Sequence, residues 1–317
     1  MSEPGSDPGR HGHLILLRHP MKNSLPRACC CCFLALFQPA WLQGAAIEYD
    51  LVIRHGKIVD GSGNPWFHGD VAVQGDRIVQ IGRIPGEAKR VVDATGLVVA
   101  PGFIDMHSHS DWALLEDGNA QSKIRQGVTT EVLGESVSAG PFQGKVAPRK
   151  VTVQGASVEL RTLRDYFAAI ERAGISVNIA SYVGQGQVWE CVMGTSFDRP
   201  NPGQLEAMKQ LVAEAMRDGA FGLSTALLMP PSSLATTQDL IELCRVVAEH
   251  GGIYSTHIRD EGEGVFDSVN EAIQVGERAG LPVDILHLKI ADQKYWGRVK
   301  EIFGLIEEAR RRGVNVQ

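Results

Sequence analysis

From Phe103 onward the chain repeats one pattern, a short run of apolar residues followed by a longer stretch with helical periodicity. The apolar runs fall at 103–106, 127–133, 176–182, 222–224, 252–257 and 282–287. Helices are predicted at 120–126, 163–173, 202–218, 237–249, 265–279 and 296–311, and Val314-Asn315-Val316 opens one more strand. An irregular insert at 135–158 interrupts the rhythm. Repeated β/α units build a parallel sheet, because the crossover helix has to lie on a face of the sheet it returns to. A doubly wound sheet that binds a dinucleotide carries Gly-x-Gly-x-x-Gly after a strand, and no strand here is followed by one. The expected fold class is therefore α/β, a TIM-like (β/α)8 barrel. This chain supplies roughly six and a half units, and closure needs about one and a half more. The reading is that the chain stops before strand eight.

Ahead of Pro101 the rhythm is different. Short strands alternate with glycine turns from Tyr49: residues 49–54, a His55-Gly56 turn, 57–60, 70–74, 77–82, 91–94 and 97–99. Such spacing predicts a small β-sandwich-like module at 47–100, with the barrel occupying 101–317. Residues 1–46 are neither. Lys22 and Arg27 precede an apolar run that holds Cys29 to Cys32 and continues through Phe37, and Gly44-Ala45-Ala46 follows. That order is the order of a secretory signal if translation starts at Met21. Export to the periplasm or medium is expected on that reading, and a cytoplasmic protein otherwise.

Composition mainly excludes. A net charge of −6, with no basic stripe interleaved with aromatics, argues against a nucleic-acid partner. No stretch of the body has the length and purity of a membrane span. Four adjacent cysteines can supply neither a spaced zinc site nor a disulfide framework.

The chemistry is in the histidines. In a barrel, catalytic groups collect at the C-terminal ends of the strands. His107 and His109 end the first strand, His257 the fifth and His287 the sixth, so four of the 10 histidines converge at one end. Residues two apart on a strand share a side, so His107 and His109 aim at one point. Neutral imidazole is a favoured ligand of zinc and similar divalent ions. His250, in a Glu-His-Gly-Gly helix end, reads instead as a cap.

These phrases carry a resemblance. Pro101-Gly102-Phe103-Ile104-Asp105-x-His107-x-His109 resembles the strand-one signature of the amidohydrolase superfamily. The stretches Tyr254-Ser255-Thr256-His257-Ile258-Arg259-Asp260-Glu261-Gly262 and Ile285-Leu286-His287-Leu288-Lys289 are similar to the N-acyl-D-amino-acid deacylase (D-aminoacylase) branch. The resemblance runs from about residue 49 to the end. It implies one or two zinc or similar ions, one held by His107 and His109 and a neighbouring one by His257 and His287. It implies that Lys289 helps to hold the carboxylate of a small N-acyl amino acid. It also implies a general-base aspartate on strand eight, beyond Gln317, so no catalytic base is expected within this chain.

Two positions depart from the branch. Where it has Gly-Asn-Cys-Gly after strand two, with the cysteine on the metal, this chain reads Gly134-Glu135-Ser136-Val137. A carboxylate bridges divalent ions well and a neutral hydroxyl ligates poorly, so Glu135 is the expected ligand and not Ser136. The other departure is Met229, where a tyrosine often touches the substrate carboxylate. Arg259, Asp260 and Glu261 follow His257 closely and are all placed to orient it, Arg259 and Asp260 being the leading candidates. The implied activity is metal-dependent hydrolysis of N-acyl-D-amino acids. A cyclic amidase of the dihydroorotase or D-hydantoinase kind is the alternative, disfavoured because the fourth strand, 220–224, lacks the lysine that those enzymes carbamylate. A catalytically inactive binding barrel is the other.

Overall fold

The computed structural model describes residues 47–317. The proposed export signal lies outside them. Chain contacts divide the described residues into two units. One comprises 47–56 and 68–95, the other 57–67 and 96–317.

The first unit is a sheet. β1 (Ile47–Ile58) continues through the expected His55-Gly56 turn, with His55 in a left-handed conformation (φ 61°). β2 (Phe67–Gln74) and β3 (Arg77–Gly82) form an antiparallel hairpin, and β4 (Glu87–Asp93) runs parallel to β1, giving the order β3-β2-β1-β4. The described strands make this one sheet. Its buried apolar cluster is small: Tyr49, Val52, Ala72 and Ile84. The division does not fall at a single cut after residue 100. Lys57 and Ile58 pair with Val98 and Val99 of β5 (Val98–Val99), which places both segments in the second unit.

The second unit is built from parallel β/α units. β6 (Phe103–Asp105) pairs with β7 (Val128–Leu133), and the short helices α1 (Ala113–Glu116) and α2 (Gln121–Ile124) lie between them in sequence. The insert expected to be irregular contains an antiparallel hairpin, β8 (Arg149–Val153) and β9 (Ala156–Leu160), leading into α3 (Leu163–Ala173). The third strand is interrupted at Tyr182. Its first half, β10 (Asn178–Ser181), pairs with β7, and its second, β11 (Val183–Gly184), pairs with the next strand. Two helices follow, α4 (Gln185–Met193) and α5 (Pro202–Asp218). The remaining units are β12 (Gly222–Ala226) with α6 (Thr237–Glu249), β13 (Ile253–His257) with α7 (Val265–Ala279), and β14 (Val283–Ile285) with α8 (Val299–Arg311). Val316 bridges in parallel to Val283, where the seventh strand position begins.

Local chemistry explains the sharp helix ends. Thr162 with Asp165, Asn201 with Gln204 and Thr236 with Asp239 form reciprocal capping boxes, each satisfying two backbone donors that the first helical turn leaves free. β12 is buried along its whole length, as a parallel strand covered on both faces should be. One region is open. Among the described residues β6 pairs only with β7, and Phe103 and Ile104 on it are 62% and 59% exposed. No helix among the described residues is long and apolar enough to cross a membrane.

Candidate metal centre

The parallel strands bring the four expected histidines to one end of the sheet. Although β6 ends at Asp105, its ladder persists for one more bond, from the Ser108 N–H to the Val132 carbonyl. Side chains therefore keep alternating. Ser108 points inward to a buried position, while His107 and His109 turn the other way and bring their Nε2 atoms within 3.1 Å. Beneath them, Lys123 donates to Asp105 (2.6 Å) and Ser108 (3.2 Å) and lies 3.3 Å from the fully buried Glu131 carboxylate. Burial works against the charge on Lys123, but Asp105 and Glu131 more than offset it and raise its pKa. Asp105 also accepts from the His107 N–H (3.2 Å), which ties this network to the first histidine.

His257 is the last residue of β13, and His287 lies two residues past β14 with φ 39°. A left-handed conformation is costly for a residue with a Cβ, and such residues concentrate at functional sites. The His257 and His287 rings stand 4.5 Å apart in an edge-on arrangement, and His287 is 5.0 Å from His107. Burial and the neighbouring Lys289 ammonium lower the pKa of His287, which keeps a nitrogen lone pair available.

Glu135 joins the two pairs. Gly134, at φ 87°, turns the chain sharply after β7, and a Cβ there would meet the Tyr182 carbonyl at 2.5 Å. Ser224 then clamps the loop, donating to the Gly134 carbonyl (2.5 Å) and accepting from the Ser136 N–H (2.9 Å). Glu135 Oε2 consequently lies 2.7 Å from His107 Nε2 and 3.2 Å from His109 Nε2, while Oε1 lies 3.8 Å from His257 Nδ1. Ser136, the residue at the usual cysteine position, turns away and meets Ser232 through its hydroxyl (3.1 Å). Two potential ligand sets result, His107–His109–Glu135 and Glu135–His257–His287.

This donor set suits a borderline divalent ion. Imidazole and carboxylate are zinc ligands, and Glu135 Oε1 and His257 Nε2 are both buried without a hydrogen-bond partner. Buried polar atoms are rarely left so, and a coordinated ion would satisfy such a carboxylate oxygen.

The other expected residues land differently. Arg259 does not touch His257. Its guanidinium takes Glu271 in a two-bond fork (2.9 Å each) and the Ser233 and Ala235 carbonyls (2.9 Å each), bracing the loop after β12 against α7. Asp260 folds its own loop, accepting from the N–H groups of Gly262 (2.6 Å) and Gly264 (3.0 Å). The carboxylate that does face the histidines is Glu261, 3.2 Å from His287 Nδ1 and 3.7 Å from His257 Nε2. Lys289 pairs with that same Glu261 and lies 3.3 Å from His287 Nδ1. Met229 is exposed in the turn after β12, beside the equally exposed Leu228. His250 sits at the end of α6, its ring 2.9 Å from the Val246 carbonyl, away from the cluster. Ser224 escaped the sequence reading. Glu261 is one of the three residues that the sequence places to orient His257, and it is the acid of the Arg259-Asp260-Glu261 run not needed to fold the loop.

Residues 90–301 match the sequence profile of the Amidohydrolase family. The chain belongs to that family. It is 40% identical over 274 residues to a D-aminoacylase of Alcaligenes xylosoxydans xylosoxydans, covering 85% of this chain and 57% of the relative. Its fold is similar to that of an N-acyl-D-glutamate deacylase from Bordetella bronchiseptica, solved with zinc and a phosphonate mimic of the tetrahedral intermediate. There the TM-score is 0.77 at 33% identity, over 85% of this chain and 57% of that one. A D-aminoacylase crystal structure matches equally well, with a TM-score of 0.77 at 36% identity and the same coverage. The chain thus spans a little over half the length of the relatives it matches.

Proposed function

We propose that this amidohydrolase contributes the metal centre and substrate anchor for hydrolysis of N-acyl-D-amino acids, releasing a carboxylate and a free D-amino acid. The observation that carries this reading is the single carboxylate, Glu135, shared between two histidine pairs, with a lysine ammonium just beyond the second. His107, His109, Glu135, His257 and His287 would hold one or two zinc ions. A divalent ion there supplies a Lewis acid for the amide carbonyl and lowers the pKa of water from about 15.7 toward 7.

The chain's own residues do the rest. Glu135, fixed by Gly134 and Ser224, holds the two histidine pairs around one point. Lys289, half exposed, presents its ammonium to the α-carboxylate of the substrate and sets the scissile amide at a fixed distance from the histidines. Met229 and Leu228, both exposed near the same end, offer apolar surface in place of a tyrosine hydroxyl, which favours an apolar amino-acid side chain. Glu135 and Glu261 are committed to histidine and lysine partners. The base that takes the proton of the attacking water would be the strand-eight aspartate that the family resemblance implies. A cyclic amidase is less well supported, since β12 offers no lysine for carbamylation. We further propose export, on the leader at 1–46.

The test is amine release from matched N-acetyl-D- and N-acetyl-L-amino acids by zinc-loaded protein that carries the implied strand-eight aspartate. D-selective turnover lost in His257→Ala supports the reading. Zinc retained without turnover of either series would overturn it in favour of cyclic amides or a binding role.

A further inference from the structure

Glu261 stands outside both ligand sets, yet like Glu135 it faces three basic side chains at this end of the sheet. Its side chain is 10% exposed. One oxygen, Oε1, faces His287 Nδ1, His257 Nε2 and the Lys289 ammonium together. Its backbone is fixed as well, because the Glu261 carbonyl accepts from the Ala291 N–H (2.7 Å), tying the loop after β13 to the loop after β14. Asp260 supplies the turn that aims it inward.

The two ring nitrogens of His257 are thereby divided. Nδ1 lies 3.8 Å from Glu135 and Nε2 3.7 Å from Glu261, each within a small ring adjustment of its carboxylate but not hydrogen-bonded to it. A histidine that ligates through one nitrogen is usually held by a carboxylate or carbonyl on the other, which fixes its tautomer and ring orientation. We propose that Glu261 is a positioning residue for the metal ligands His257 and His287, and that it links them to Lys289, the cation that anchors the substrate carboxylate. The first pair has no equivalent arrangement. His107 and His109 face Glu135 directly, and their support comes from Asp105 and Lys123 through the backbone.

This inference rests on the metal-centre reading, and a cobalt(II) titration separates the two. Wild type, stripped of metal, should take up two cobalt ions. In a His109→Ala background, which isolates the His257–His287 site, Glu261→Gln should weaken cobalt binding by about 10- to 100-fold. The visible band at saturation should keep its intensity, since the coordination number does not change. A changed band intensity would make Glu261 a direct ligand and overturn the positioning role. The double variant Glu261→Gln/Lys289→Met guards against misfolding, because it removes both charges of the pair. It should still bind cobalt weakly, whereas a return to wild-type affinity would show that Glu261 only neutralises Lys289. Cobalt affinity unchanged by Glu261→Gln overturns this inference alone. No cobalt uptake by wild type overturns the metal-centre reading and this inference with it.

Discussion

The two histidine pairs meet at one carboxylate but are carried by different kinds of structure. His107 and His109 hang beyond a three-residue strand at the open side of the sheet, and His109 is 66% exposed. His257 and His287 follow strands that are paired on both sides and backed by α6 and α7, and His257 is only 16% exposed, although His287 at 31% is slightly more open than His107 at 24%. The first pair is supported from below by a partly buried ion network, the second from the side by Glu261. The difference shows how one site can combine a pre-organised half with a half whose rigidity depends on its surroundings. A well-packed support fixes a ligand's rotamer, and an exposed imidazole has to give up rotamer freedom when it binds.

The largest effect should come from removing what the halves share. Glu135→Gln keeps the volume but leaves a neutral amide that bridges poorly. We expect zinc affinity to fall by more than about 100-fold at both sites, beyond the range for groups that only support a ligand. Retention of two zinc ions, measured by calorimetry and elemental analysis, would break the comparison at its centre.

Single-ligand variants should then separate the halves. His257→Ala should abolish the better-packed site and leave weak binding at the other, whereas His109→Ala should cost less, because its ring starts exposed. Equal losses from the two variants would mean that packing does not distinguish the pairs.

Much of this was readable from the residues, and the limits of that reading have physical causes. Helices α5, α6 and α7 begin and end where expected because their signals are local: Asn201 with Gln204 and Thr236 with Asp239 start α5 and α6, and Gly280 in the left-handed region ends α7. The strand ends placed all four histidines because the rule for parallel β/α units is local too. α4 was missed because its residues Gln185–Met193 are almost all buried, so no polar face marks a helical period. The β8–β9 hairpin was missed because its alternation is interrupted by Gln154-Gly155, and it lies within a long insert. Glu135 followed from ligand chemistry, although the sharp turn at Gly134 that delivers it is a tertiary feature held by Ser224, 90 residues away. Of the three residues after His257, the two leading candidates, Arg259 and Asp260, are the ones that turn to other partners, for a similar reason. Proximity in sequence to His257 says nothing about which of the three side chains the loop turns inward.

A fourth variant probes the support under the first pair. Lys123→Met leaves Asp105 and the fully buried Glu131 without their cation. Breaking a buried pair costs about 3–5 kcal/mol, and the partial exposure of Lys123 moves the expectation to about 2 kcal/mol. The loss should appear in urea midpoints, and metal binding at His107 and His109 should suffer more than binding at His257 and His287. Equal weakening of both sites would show that the network stabilises the fold without favouring one half.

The smallest effect concerns Asp284 on β14, below the second pair. Its Oδ2 is buried without a partner, and burial raises the carboxyl pKa above its ordinary 3.8, with the His107 charge opposing that shift. The sign follows from linkage. An acid whose folded-state pKa is raised favours the folded state fully at pH values below its unfolded pKa, and that contribution is lost as the pH rises through the folded value. At neutral pH Asp284 therefore works against folding. Asp284→Asn keeps the shape and removes the ionisation, so the variant should be slightly more stable than wild type at pH 7, by about 1 kcal/mol or less. It should lose that advantage near pH 4. Thermal melts of both proteins across that range would give converging curves at the acid end. Parallel curves would mean that Asp284 finds a compensating partner when ionised, and that the second half of the centre is not as dry as its packing indicates.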